Sequence, residues 1–231
     1  MYEEDLEFGT RRSLITGMGA AATGLALGAA APAAAQQSAE DFQPRRHDQD
    51  AWLGELGRYH RVYIDSARPE GGMEAVHYAD NILRSHKNDY GGEYEDIGLV
   101  VCFRRFSTPL GYNDAIWEKY GAAFNNRLNF PDPRTGEAFA ANPVNMEGRR
   151  DLPSMGATID AMAERGVKFA ICRNATNGLS RMLAGATGGD AAEIFKELTS
   201  SGVTNSRFVP AGVMMTTRAQ EYGYSLLYSG L

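Results

Sequence analysis

Cys172 is the residue of this chain best placed to do chemistry. It ends a short apolar run at 167–171 and is followed at once by the polar pair Arg173 and Asn174. A run of this length between Gly166 and a polar pair predicts a buried parallel strand. Ligands and reacting groups gather at the carboxyl ends of the strands in open α/β sheets. We therefore take Cys172 as the first candidate for a reactive residue.

Arginines follow the first three predicted strands and could surround this cysteine. Arg68 follows the first strand, Arg104 and Arg105 follow the second, and Arg173 follows the third. Cations and a helix N-terminus generally favour the thiolate form of a cysteine, and guanidinium groups also suit an anionic ligand. Arginines in loops often do no more than solvate a surface, so both interpretations stand.

The elements that must position these residues alternate along the chain between strand and helix. Apolar runs and alternating patterns predict five strands, and apolar residues at helical spacing predict helices between them, with Asn113 or Asp114 and Ser154 or Thr158 as helix caps. Such alternation favours a parallel sheet with right-handed crossovers. The predicted fold is a flavodoxin-like three-layer α/β sandwich with a five-stranded, mostly parallel sheet. The predicted strands are 59–65, 97–103, 167–172, 207–210 and 224–228.

The strand order bears on whether the two cysteines, Cys102 and Cys172, are paired. An order of 2-1-3-4-5 would place their strands on either side of the first strand, about 9.5 Å apart. A disulfide needs Cα atoms within about 7 Å. We therefore expect two free thiols, with Cys102 packed as a small apolar side chain in its strand.

The N-terminus carries a pattern typical of export. Arg11 and Arg12 precede an Ala- and Gly-rich run from about 14 to 31, and a small-residue triplet at 33–35 precedes Gln36. This pattern resembles a twin-arginine signal peptide over residues 1–35, with cleavage before Gln36, although an uncleaved membrane anchor is an alternative. The expected location is the periplasm, with no stable membrane span after cleavage. Residues 36–57 are expected to form a polar lead-in to a domain at 58–231.

Composition argues against several classes of function. The chain has a net charge of −6, and two arginines and four acidic residues lie in residues 1–35, so the remainder is mildly acidic. A mildly acidic domain lacks the basic footprint of a nucleic-acid-binding protein. The sequence has no Cys-x-x-Cys, His-x-x-His or Glu-x-x-His spacing, so we expect no structural zinc site and assign no metal ligands, and no pattern specific to a flavin or other cofactor is evident.

Residues 125–150 interrupt the alternation of strands and helices. Three prolines and two glycines punctuate this segment, and 132–136 has the composition of a turn. A loop this long is commonly a functional flap, an assembly surface or a variable segment. The sequence does not choose among these.

Two blocks of the sequence resemble one protein family. Residues 163–174, which contain Cys172, look like the central segment of the DsrE/DsrF-like superfamily, and 208–224 is similar to that family's closing block. With the first strand and helix, the resemblance covers about residues 58–231 apart from 125–150. It implies a flavodoxin-like fold, assembly into homo- or hetero-oligomers and, in some members, sulfur relay on a strand-end cysteine at the position of Cys172. The family's relay members are cytoplasmic, whereas this chain carries an export pattern.

These observations support two hypotheses of different kinds. In the first, Cys172 carries sulfane sulfur as a persulfide, with Arg173, Arg104 or Arg105 stabilising charge, Asn174 orienting the ligand, and a sulfur donor or acceptor protein as partner. In the second, the same edge of the sheet binds a small anion or a partner protein without catalysis. A third hypothesis is a soft-metal site formed by Cys172 with a methionine at 214 or 215.

Overall fold

The computed structural model describes residues 43–230 and places five strands in them. Each predicted strand is present, with its ends shifted by no more than about two residues, as expected for boundaries read from local patterns. The strands are β1 (His60–Ser66), β2 (Ile97–Phe103), β3 (Lys168–Cys172), β4 (Ser206–Val209) and β5 (Ser225–Ser229).

Six α-helices in this described part of the chain connect or flank the strands. Two predicted caps are confirmed: Asn113 accepts the N–H of Ile116, and Thr158 accepts the N–H of Ala161. The polar lead-in contains a 3₁₀ helix, Asp48–Glu55. The α-helices are α1 (Pro69–Asp89), α2 (Asp114–Leu128), α3 (Ile159–Glu164), α4 (Arg173–Thr187), α5 (Ala191–Ser200) and α6 (Gly212–Glu221).

The sheet is entirely parallel and has the order β4-β3-β2-β1-β5. The predicted α/β three-layer fold is confirmed, but the predicted strand order 2-1-3-4-5 is wrong. Each of the first three crossovers moves one place in the same direction, so β1 to β4 are neighbours in chain order. The last crossover then carries the chain back across the sheet and places β5 on the free side of β1.

The two faces of the sheet are covered unequally. Helices α1 to α5 contribute to one large core with residues such as Val101 and Phe169. The opposite face is covered by the 3₁₀ helix Asp48–Glu55 and by α6, whose buried residues include Leu53 and Met215. We call these the five-helix face and the α6 face. Because β2 is interior to the sheet and covered on both faces, its residues from Gly98 to Phe103 are all buried, which explains its continuous apolar sequence.

The segment at 125–150 begins with the last turn of α2 and continues as an ordered loop. The Arg149 guanidinium is buried and bonds both Asp132 and Asp151, at 2.6 and 2.8 Å for the shortest contacts. The Asn142 side-chain amide donates to the carbonyls of Leu110 and Tyr112, both at 2.8 Å. The Asn142 contacts attach the loop to the chain that follows β2 on the five-helix face, whereas the Arg149 contacts join parts of the loop to one another.

The signal peptide predicted for residues 1–35 lies outside the described residues, as does the lead-in as far as residue 42. Within residues 43–230, no helix combines the length and apolar character needed to cross a membrane.

Candidate functional site

Cys172 lies at the junction between β3 and α4. It is the last residue of the strand and also the N-cap of the helix, where its Sγ accepts the N–H of Ala175 at 3.4 Å. The four N–H groups that begin a helix have no partner within the helix, and together they favour negative charge. The Cys172 sulfur therefore lies at the positive end of the α4 helix dipole. The residue is 7% exposed, so only a narrow approach to it is open.

The loops after β3 and β4 diverge at this point. β3 leads into α4 on the five-helix face, whereas the neighbouring β4 leads into α6 on the opposite face. In open α/β sheets, ligands bind at the switch point between two adjacent strands whose connections diverge in this way. Cys172 is paired in register with Val209 of β4, and the N–H of Asn174 donates to the Pro210 carbonyl at 3.3 Å. Cys172 thus stands at the switch point of this sheet.

A buried chain of hydroxyl groups supports the backbone of Cys172. The Tyr112 hydroxyl donates to Thr176 Oγ1 at 2.8 Å, and Thr176 Oγ1 donates to the Cys172 carbonyl at 3.0 Å. Burial raises the pKa of Tyr112 well above its usual range, so this hydroxyl keeps its proton. The end of β3 is therefore held in place from the side of the five-helix face.

Cys102 has different surroundings from Cys172. It is fully buried on the α6 face, and burial raises the pKa of its thiol far above the ordinary value. A Cβ atom added to Gly212 at the start of α6 would lie 3.1 Å from Cys102 Sγ, so the helix backbone packs directly against the sulfur. Cys102 accordingly behaves as a packed core residue, as the sequence predicted.

Both cysteines are free, which confirms the prediction, but the reason differs from the one expected. β2 and β3 are adjacent, and Cys102 is in register with Ala170, two residues before Cys172. A separation of one strand and two residues corresponds to roughly 8 Å between Cα atoms. That distance exceeds the reach of a disulfide.

Arg104 follows β2 and forms an ion pair with Asp65, the penultimate residue of β1. Its Nε and Nη2 atoms donate to the two carboxylate oxygens at 2.8 and 2.7 Å, in a bidentate arrangement. Asp65 is buried, and its hydrogen bonds to Arg104 raise the pKa of the guanidinium above its usual value. Because the Asp65 carboxylate already balances the charge of Arg104, this guanidinium is less suited to bind an external anion.

The other three predicted arginines follow the same strand ends but are exposed. Arg68 lies 3.8 Å from Glu70. Arg105 has a positive φ of 55° and its guanidinium lies over the ring of Phe106, at 4.8 Å. The Arg173 guanidinium lies over a ring of α5, 5.6 Å from its centroid.

A cleft of 370 Å³ opens beside the switch point. Its walls come from the first turn of α4, from the end of β4 and from the start of the 3₁₀ helix, and they include Arg173, Asn174, Arg207 and the buried Asp50. A larger cleft of 570 Å³ lies at the opposite edge of the sheet, around His60 and His86, away from Cys172. The smaller cleft is lined by Arg173 and Asn174, which follow Cys172 in the chain, whereas Cys172 itself is not one of its lining residues.

Several residues of the site were not predicted from the sequence. Asp65 ends an alternating strand with a carboxylate, and this position could have marked it as a partner for a strand-end arginine. Arg207 was noted only as part of a strand, while Tyr112 and Thr176 carry no local signal because they meet across 64 residues. Among residues 43–230, no group of three or more His, Cys, Asp or Glu could hold a metal ion, and Met215 is buried in the core of the α6 face.

Comparison with protein-family models, with curated proteins and with solved structures finds no match to this chain. What can be said of the site's chemistry therefore comes from its residues. The fold and the site define a three-layer parallel α/β protein with a helix-capping cysteine at the switch point of its sheet.

Proposed function

We propose that this protein handles sulfane sulfur, with Cys172 accepting a sulfur atom as a persulfide. The observation that carries the proposal is the position of Cys172 Sγ, a free thiol at the N-terminus of the 15-residue helix α4. Helix N-termini stabilise thiolates and so promote nucleophilic attack. The resemblance of 163–174 to the DsrE/DsrF-like central segment supports the same residue and the same chemistry.

The reaction can be written for thiosulfate as the donor. The Cys172 thiolate attacks the outer sulfur of thiosulfate, a new S–S bond forms on the cysteine, and the S–S bond of thiosulfate breaks. Sulfite leaves with the electron pair of the broken bond. The product is Cys172–S–S⁻, and the sum of the charges is the same on both sides. An acceptor thiolate then removes the outer sulfur and regenerates the Cys172 thiolate.

The residues around Cys172 take different parts in this proposal. The N–H of Ala175 and the first turn of α4 stabilise negative charge on the cysteine and on the persulfide. Arg173 and Asn174 line the adjacent cleft and are placed to hold an anionic donor or leaving group. Arg104, which is paired with Asp65, supports the carboxyl edge of β1 and β2 instead.

The test is intact-mass spectrometry of the reduced protein after incubation with thiosulfate or polysulfide. We expect a mass increase of one sulfur atom that a reductant removes. Cys172→Ser should abolish the increase while preserving the helix cap, because serine is among the preferred N-cap residues. Cys102→Ala, which removes only a buried sulfur, is the matched control and should keep the increase.

Two outcomes would count against the proposal. No added sulfur from any of several sulfane donors on reduced, folded protein would exclude the carrier role. Added sulfur that persists in Cys172→Ser but disappears in Cys102→Ala would assign the chemistry to Cys102 instead of Cys172.

A second candidate function is the binding of a small anion without catalysis. The cleft of 370 Å³ favours it, because Arg173 and Arg207 line the cleft together with the first turn of α4. Calorimetry with sulfite, sulfate and phosphate would detect such binding, and Arg207→Gln should weaken it. Binding without any sulfur adduct on Cys172 would favour this function over sulfur transfer.

A further inference from the structure

Strand β5 leaves one edge of the sheet unpaired. It pairs with β1 on one side, and no strand among residues 43–230 pairs with its other side. Leu226, Leu227 and Tyr228 are 44%, 37% and 54% exposed. An edge strand presents a row of free N–H and C=O groups to which another strand can bind.

This edge lacks the features that normally keep a free strand from pairing. The sequence of Ser225–Ser229, SLLYS, contains no charged residue and no proline. Monomeric proteins usually protect such edges with lysine, proline or a bulge. The strand is also held firmly, because Ser229 Oγ donates to the Glu74 carboxylate on α1 at 2.6 Å. An ordered, uncharged and apolar edge is suited to bind another strand.

The strand is complementary to a second copy of itself. If two β5 strands pair antiparallel about a two-fold axis at Leu227, Ser225 faces Ser229 and Leu226 faces Tyr228. The residue on the axis faces its own copy and those beside it lie close to theirs, so any charge there would repel its equivalent. In β5 the residues placed together are serine with serine and apolar with apolar.

The neighbouring surfaces fit the same arrangement. Leu226 and Tyr228 pair with Tyr63 and Asp65, which places them on the α6 face. Val213 and Met214 of α6 are also exposed, and α1 and α6 both pack beside β5. Pairing of two β5 strands would therefore also bring the flanking helices of both copies together. Contacts between these helices would enlarge the buried area, and a stable interface typically buries roughly 800 Å² per partner.

We propose that two copies of this protein associate through antiparallel pairing of their β5 strands about Leu227, forming one continuous ten-stranded sheet. The two-fold axis is perpendicular to the sheet, so the α6 faces of both copies lie on the same side. The Cys172 sites, at the β3 and β4 end of each sheet, remain at opposite ends of the dimer. The interface is independent of the sulfur chemistry proposed above.

Sedimentation velocity of the full chain at tens of micromolar tests the association. We expect twice the monomer mass for the wild type and a monomer for Leu227→Lys, because two buried ammonium groups would meet at the axis. Met155→Lys is the matched control, since Met155 is 54% exposed in the loop before α3, away from β5, and it should leave the dimer intact. Circular dichroism would confirm that both variants fold.

Cysteine cross-linking tests the register. Leu227→Cys should form a disulfide between copies under mild oxidation, because directly opposite residues in antiparallel strands have Cβ atoms about 5 Å apart. Leu226→Cys should cross-link far less, since the two copies of residue 226 are diagonal neighbours.

Three outcomes would overturn this interface. A monomeric wild type would do so, and so would a dimer that survives Leu227→Lys. Slow hydrogen exchange of the outward β5 amides in a monomer would mean that another segment of the same chain, such as residues 1–42, covers the edge. A dimer that cross-links at Leu227 but takes up no sulfur would leave this inference standing while removing the proposed function.

Discussion

At the scale of single residues, the two cysteines have different surroundings although they lie on neighbouring strands. Cys102 lies within β2 and is fully enclosed by the α6 face, where burial raises its thiol pKa. Cys172 lies two positions further along the neighbouring strand, where the backbone turns into α4 and supplies an N–H to its sulfur. The second position places the sulfur at a helix N-terminus and leaves the residue 7% exposed, against 0% for Cys102.

The hydroxyl chain beneath Cys172 yields a prediction for Thr176→Val. This change removes the donor to the Cys172 carbonyl and leaves the buried Tyr112 hydroxyl without its acceptor. An unsatisfied buried hydroxyl costs about 1–3 kcal/mol, so the free energy of unfolding should fall by about that amount in urea titration.

The double variant Tyr112→Phe with Thr176→Val is the control for this prediction. It removes the hydroxyl that was left unpaired, so its destabilisation should be smaller than the sum of the two single changes. Additive effects of the two substitutions would show that the hydroxyl groups do not act as a connected chain.

At the scale of elements, the loop at 129–158 owes its order to buried ion pairs and hydrogen bonds. Arg149 bonds two carboxylates, and Asn142 bonds the backbone that follows β2. The sequence showed only a region of prolines and glycines. The structure shows a loop that Asn142 attaches to the chain following β2, while Arg149 joins two carboxylates within the loop itself.

This arrangement predicts a pH-dependent effect of Arg149→Met. Hydrogen bonds from Arg149 lower the pKa of Asp132 and of Asp151 in the folded protein. Groups with a depressed folded-state pKa contribute stability above their unfolded pKa of about 4, and the contribution is lost as the pH falls toward the folded-state value. Arg149→Met should therefore lower the urea midpoint more at pH 7 than at pH 3, where part of this contribution is already lost.

Arg134→Met is the matched control for the loop. Arg134 also contacts Asp151, but its side chain is largely exposed, and exposed ion pairs contribute little to stability. The urea midpoint of Arg134→Met should stay near that of the wild type at both pH 7 and pH 3. An Arg149→Met defect that is equally large at both pH values would indicate lost packing instead of lost charge pairing.

At the scale of the whole molecule, the N-terminal pattern leads to a prediction about export. If residues 1–35 are a twin-arginine signal, replacing Arg11 and Arg12 with lysine should retain the protein in the cytoplasm, because that route recognises a paired-arginine motif. Cell fractionation would measure the retention, and the mass of the exported form should correspond to a chain that begins at Gln36.

The second arginine pair, Arg45 and Arg46, offers a matched control for this experiment. Lysine at both of these positions should leave export unchanged. Equal export of the two double variants would contradict the assignment of residues 1–35 as a twin-arginine signal.

Local patterns in the sequence were sufficient to predict the strands, most helices and two of the helix caps. Continuous apolar runs marked strands that are buried on both faces, as in β2, and side chains such as Asn113 and Thr158 marked helix starts. The same reasoning placed Cys172 at the end of a strand. These features depend on residues that are neighbours in the chain, so sequence alone determines them.

Only the tertiary structure decided which strands are adjacent and which charges are paired. The order β4-β3-β2-β1-β5 brought Cys102 and Cys172 onto neighbouring strands, and it left the apolar β5 at an edge. It also placed Asp65 against Arg104, 39 residues away along the chain. Several strand orders suit the same alternation of strands and helices, and the choice among them depends on how the crossovers pack, which no local pattern encodes.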